Sequence, residues 1–114
     1  MKTLAIDFDG VLHAYERGWE DGVIYDDPKP GALEAVELLA DTYRLVVFTA
    51  RDNLSDVTNW LTAHGLMDHI ADVTNVKPPA WAYVDDRAVR FESWEQTLAL
   101  LRDLAPDDAW RPVA

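Results

Sequence analysis

Cysteine is absent from this chain of 114 residues. Without it there is no disulfide framework, no thiolate nucleophile and no zinc site with Cys ligands. Cations are scarce as well: 10 Lys plus Arg stand against 21 Asp plus Glu, a net charge of −11. A field of that sign repels nucleic acid and anionic membrane surfaces, so an anionic substrate has to be drawn in locally, by a metal or by a few placed cations. Long hydrophobic runs are also missing. No stretch approaches 18 apolar residues, and one Lys with a few apolar residues precedes Asp7, so neither a membrane span nor a signal peptide is expected and a cytoplasmic protein is. What remains is 49% hydrophobic and long enough for one core, which gives a single globular domain over residues 1–114.

Apolar periodicity divides the chain into alternating strands and helices. Thr3 to Ile6 reads as a strand, and Arg44 to Thr49 as another whose continuous Leu45-Val46-Val47-Phe48 core suits burial on both faces. Between them Gly31 to Tyr43 has a helical stripe of Leu33, Val36, Leu39 and Ala40 after the Pro28-Lys29-Pro30 breaker. A second helix runs from a cap at Asp52 or Asn53 to about His64, with Leu54, Val57 and Leu61 inward and Gly65 as its stop. Ile70 to Thr74 is a weak strand, Trp81 to Val84 a better one, and Asp85-Asp86 ends it. Ser93 and Gln96 form a capping-box pattern that opens a last helix with Trp94, Leu98, Leu101 and Leu104 inward. The alternation predicts a three-layer, Rossmann-like α/β fold on a parallel sheet, with a loosely ordered tail at 105–114.

The stretch from His13 to Pro30 has no helical period. It carries Tyr15, Trp19 and Tyr25, and its Glu20-Asp21-Gly22-Val23 turn signal predicts an irregular turn plus a β-hairpin. A long loop directly after the first strand is a candidate functional element; packing of its aromatics on the sheet edge is the plainer alternative.

Asp7-Phe8-Asp9-Gly10-Val11-Leu12 places two carboxylates one residue apart where the first strand gives way to a loop. Open α/β sheets bind ligands beyond the carboxyl ends of their strands. Asp-Gly is equally ordinary turn chemistry, so the pair alone leaves turn and site both open. Thr49 ends the second strand, Lys77 precedes the fourth, and Asp85 with Asp86 follows it, all on one side of a parallel sheet. Several carboxylates gathered there repel one another, and a divalent cation relieves the repulsion. Oxygen-only ligands favour Mg²⁺. An ionised Asp7 is then a competent nucleophile toward phosphorus, Asp9 a general acid and base, and Lys77 a point charge for phosphoryl oxygens. Thr49 and the amides around Phe8 to Gly10 supply hydrogen-bond donors.

With these residues in order, the chain resembles the haloacid dehalogenase superfamily of aspartate-nucleophile phosphohydrolases. Four motifs carry the resemblance: Asp7-Phe8-Asp9-Gly10-Val11-Leu12, Val47-Phe48-Thr49-Ala50-Arg51, Lys77-Pro78 and Tyr83-Val84-Asp85-Asp86-Arg87. The resemblance implies Asp7 as phosphoryl acceptor, Asp9 as acid and base, and Lys77 as the catalytic lysine. It implies phosphate contacts from Phe8, Gly10, Thr49, Ala50 and Arg51, and a Mg²⁺ site from Asp7, Asp9, Asp85 and Asp86, the last through water or by orienting Lys77. The second acid of the first motif favours phosphate esters over dehalogenation. The gaps after the first motif and between the second and third hold no cap domain, so the capless subgroup is implied, with 13–30 as a small flap. Such open sites act on a large substrate or borrow a neighbouring subunit, which makes a homo-oligomer an expectation beside a small phosphorylated substrate.

One departure stands out. Only seven residues separate Lys77 from Asp85, where relatives place a helix, whereas parallel strands usually need a dozen or more residues of crossover. Either the Ile70 to Thr74 strand is very short or the link is extended and helix-free. Arg51 and Arg87 flank the motifs and suit either phosphate binding or ion pairs with nearby acids. His13 is close enough to the first motif to shape the entrance, and His64 and His69 read as helix-end and turn residues. Three other readings compete: a receiver-like phosphoacceptor domain, a degenerate phosphatase fold kept as an interaction module, and a phosphomutase. The motif order opposes the first, because a receiver opens on its acidic pair and ends on its Lys.

Overall fold

The computed structural model describes residues 1–85 and 89–104. Five strands form one sheet: β1 (Lys2–Asp7), β2 (Tyr43–Phe48), β3 (Asp72–Thr74), β4 (Ala82–Asp85) and β5 (Val89–Arg90). Their order is β3-β2-β1-β4-β5, and every pairing is parallel. Three α-helices accompany them: α1 (Ala32–Ala40), α2 (Leu54–Ala63) and α3 (Trp94–Leu104). Rossmann-like α/β is therefore the architecture, and β1, first in sequence, occupies the centre.

Local chemistry accounts for the boundaries. Tyr43, expected at the end of α1, instead opens β2 opposite Lys2 and is buried, because α1 is capped at Asp41 and the chain must turn before pairing. Ser93 Oγ accepts the Gln96 N–H at 3.2 Å, as the capping pattern predicts. β5 has only two residues, too short for any periodicity to announce it.

Strand alternation assigns the faces. Leu4 and Ile6 share one face with Leu45, Val47 and Val84, and these join α1, α2 and α3 through Val36, Leu39, Val57, Leu61, Trp94 and Leu101 in one buried cluster. Each such side chain contributes roughly 1.5–3 kcal/mol of burial. Both β1-α1-β2 and β2-α2-β3 step in the same direction, and right-handed crossovers then place both helices on one side. α3 contacts α1, and its Trp94 Nε1–H donates to the Val11 carbonyl at 3.2 Å. Among the described residues all helices lie on this face, so the structure has two layers where the sequence predicts three. The reason is the β3 to β4 connection, residues 75–81, which crosses the opposite face without a helix. Both readings of that short connection hold at once: β3 is three residues long and the link is extended.

The hairpin expected in 13–30 is likewise absent. Its Glu20-Asp21-Gly22-Val23 turn forms, with the Val23 N–H on the Glu20 carbonyl at 2.9 Å and positive φ at Asp21 (52°) and Gly22 (85°). Glycine suits the second of these because it has no Cβ to clash. Tyr15 and Gly18 also take positive φ, and no ladder survives so many left-handed residues. Backbone bonds close the loop at its base, Ala14 N–H to Asp27 and Lys29 N–H to Leu12. Its own side chains pack the interior: Tyr25 Oη donates to the Gly18 carbonyl and accepts the Arg17 N–H, both at 2.8 Å.

Candidate active site

Three adjacent central strands, β2, β1 and β4, end side by side. One step beyond the Ile6–Val84 pair stand Asp7 and Asp85, and Asp7 is itself in register with Phe48, the residue before Thr49. Both carboxylates are half-buried and share the face of Ala5 and Tyr83, the face without helices. Asp7 Oδ1 accepts the Phe8 N–H at 2.8 Å. The turn that follows is tight: the Phe8 carbonyl accepts N–H groups from Val11, Leu12 and His13, and Gly10, at φ 80°, donates its own N–H to the His13 carbonyl at 2.7 Å. Expected as phosphate donors, the Phe8 and Gly10 amides are thus engaged within the turn. Phe8 itself is a core residue, with its ring edge-on to Trp60.

Asp9 points elsewhere. Its Oδ2 accepts Arg51 Nε at 2.8 Å, and its Oδ1 accepts both Arg51 Nη2 at 3.0 Å and His13 Nδ1 at 2.8 Å. The Asp26 backbone N–H, which can only donate, reaches His13 Nε2 at 3.1 Å, so Nε2 accepts and Nδ1 carries the proton given to Asp9. His13 is fully buried beneath Tyr15 and Tyr25, which places two of the three loop aromatics in packing and leaves Trp19 as the exposed one at 60%. Sequence reading gave His13 little weight; its position four residues after Asp9 was the available signal.

Arg51 is only 3% exposed. Besides the two-pronged contact with Asp9, its Nη1 donates to the Gly22 carbonyl at 2.8 Å, and its guanidinium lies 5.0 Å from the Trp19 ring centroid. The local fold aims it there: Thr49 Oγ1 accepts the Arg51 N–H at 3.2 Å, a side-chain turn that re-enters the core. Of the two alternatives left by the sequence, Arg51 takes an ion pair, and it is buried rather than on the surface. Ala50 is exposed.

Lys77 is exposed on the link that crosses the helix-free face, its Nζ 4.9 Å from the Tyr83 ring centroid. Tyr83 stands two residues before Asp85 on the same side of β4, and its hydroxyl donates to the Pro78 carbonyl at 2.6 Å. The short link therefore keeps Lys77 on the face of Asp7 and Asp85. Asp86 and Arg87 lie outside the described residues, as does the tail expected at 105–114.

The oxygen-only donors Asp7 and Asp85 fit a hard cation such as Mg²⁺ by their chemistry. Among the described residues no three His, Asp or Glu side chains are gathered into a metal-holding group. A cavity of about 800 Å³ opens between the loop and α2, lined by Trp19, Asp21, Val23, Asp52, Asp56 and Trp60 with their neighbours. It contains neither Asp7 nor Asp9, and its lining has carboxylates and no cation. A phosphate is repelled there, which leaves the strand ends as the candidate site.

No protein-family description and no curated protein match this chain. A solved structure described as a conserved protein coded by a locus from Bacteroides thetaiotaomicron is similar to it, with a TM-score of 0.71 and 22% identity over 95% of each chain. That likeness shows a shared fold. No described helix is long and apolar enough to cross a membrane.

Proposed function

We propose that this protein is a phosphohydrolase of the haloacid dehalogenase type, acting on a phosphomonoester through an aspartyl-phosphate intermediate. The observation that carries the reading is the convergence at β2, β1 and β4, where Asp7 and Asp85 end two neighbouring strands and Thr49 follows the end of a third, each from one of the motifs that carry the resemblance. An Asp7 carboxylate oxygen attacks phosphorus, and the bond from phosphorus to the ester oxygen breaks. Asp9 supplies the proton that the departing oxygen takes up, and afterwards accepts one from the water that hydrolyses the aspartyl phosphate. Asp7 and Asp85 would hold Mg²⁺, with Asp86 as the fourth acid of the expected set beside Asp9; the ion lowers the negative charge that a phosphate dianion meets. Lys77, on the helix-free side, and Thr49, next after Phe48 at the end of β2, would complete the phosphate contacts.

Asp7→Asn is expected to abolish Mg²⁺-dependent phosphate release from an aryl phosphate while circular dichroism and Tm stay those of the parent. Undiminished release by that variant removes the nucleophile assignment. A second reading, a phosphate-binding module without turnover, draws on the engagement of both Asp9 oxygens by Arg51 and His13. Phosphate binding without release by the unmodified protein would select it.

A further inference from the structure

We infer that Arg51 is a positioning residue that ties the geometry of Asp9 to loop 13–30, rather than a ligand of the substrate phosphate. The inference deepens the phosphohydrolase reading and rests on it for the role of Asp9. Each side of the guanidinium has a protein partner: Nε and Nη2 hold the two Asp9 oxygens in a fork, and Nη1 holds the Gly22 carbonyl. At 3% exposure the group has no open surface to offer a phosphate, and such planar two-point contacts fix orientation as well as charge.

The loop end of this chain of contacts is itself anchored. Gly22 O also accepts Asn53 Nδ2 at 2.9 Å from the start of α2, and Trp19, three residues earlier, lies against the guanidinium at 5.0 Å. At the other end His13, the first residue of the loop, donates to the same Asp9 oxygen that accepts Arg51 Nη2. Asp9 is thus gripped from both ends of one loop, by His13 at its base and by Gly22 near its tip through Arg51. A displacement of the tip pulls the guanidinium and, with it, the carboxylate that must face the leaving oxygen. Trp19 and Val23, exposed at 60% and 58%, are the solvent-facing residues of that tip.

The test uses the whole chain with Arg51→Lys, Asp9→Asn and Asn53→Ala. Lys keeps the charge and gives up the fork, so folding is retained. Hydrogen exchange of the Glu16 to Tyr25 amides is expected to quicken by about tenfold in both Arg51→Lys and Asp9→Asn, since each removes one end of the same tie. With an aryl phosphate and Mg²⁺, Arg51→Lys lowers kcat by roughly 10- to 100-fold and leaves KM within about threefold, the pattern of lost alignment and not of lost phosphate binding. Asn53→Ala, which removes the bonds from Nδ2 to the Gly22 carbonyl and to Asp56 Oδ2, lowers kcat by about threefold in the parent and has no further effect in Arg51→Lys. A tenfold rise in KM at constant kcat would make Arg51 a phosphate ligand and overturn the inference, as would unchanged loop exchange in Asp9→Asn. Absence of turnover in the unmodified protein would refute the phosphohydrolase reading alone, and the exchange measurements would still decide whether Arg51 couples Asp9 to the loop.

Discussion

Asp7 and Asp9 stand one residue apart in sequence and in different surroundings. On the loop side Asp9 belongs to a buried cluster in which His13 and Arg51 have matched partners and aromatic rings close over the top. By contrast, Asp7 and Asp85 sit half-buried at the end of a sheet face that carries no helix among the described residues, beside an exposed lysine. The first region holds a shape through the fork of Arg51 on Asp9, and the second is where the proposed function places the ligand.

Substitutions on the two sides should therefore fail in different ways. Asp7→Asn is expected to give the largest effect, a loss of turnover of about a thousandfold or more with little change in stability, because it removes the proposed attacking group and keeps the side chain's size. A matching drop in Tm would erase the distinction between the sides. Next comes Arg51→Met, expected to lower unfolding free energy by about 3 kcal/mol in urea denaturation, since it takes the guanidinium from Asp9 and leaves that carboxylate with His13 alone and the Gly22 carbonyl with Asn53 alone. Lys77→Ala is expected to reduce turnover by roughly 10- to 100-fold and to change stability by less than about 0.5 kcal/mol, as befits an exposed side chain. If instead it leaves turnover intact, the open side does not extend as far as the crossing link.

The smallest effect concerns the loop tip. Arg17 and Glu20 form a two-pronged, exposed pair at 2.7 and 2.9 Å, and the hydrogen bond from Arg17 holds the Glu20 carboxyl below its ordinary 4.5. Its contribution is present above pH 4.5 and is lost as pH falls through the lower folded-state value. The Glu20 carboxyl carbon shift, followed by NMR against pH, should titrate below that of Glu20 in the unfolded chain and lose that difference in Arg17→Ala. An unchanged Glu20 titration in that variant would remove the pair as its cause.

Much of the sheet was legible from the chain. Leu45 to Phe48 could only be a doubly flanked strand, and Ser93 with Gln96 marked the start of α3 by a bond that the structure contains. The hairpin was misread because its turn signal was genuine: Asp21-Gly22 makes the turn, yet Tyr15 and Gly18 twist out of any ladder that would flank it. The third layer was misread because alternation of strands and helices was extended across a link too short to hold a helix. At the site, strand ends could be placed from the pattern of apolar runs, but nothing local tells that Arg51 folds inward. Its partners lie 42 residues away at Asp9 and 29 away at Gly22.

By itself the sequence determined a parallel α/β sheet and the order in which Asp7, Thr49 and Asp85 reach its carboxyl edge, because burial periodicity and strand direction are local properties. Only the tertiary structure decided that Asp9 is bound to Arg51 and His13, that Lys77 stays on the face of Tyr83, and that the described helices lie on one side. Those outcomes depend on which distant group meets a buried charge and on how far a short link can reach, and neither quantity is written in any single stretch of the chain.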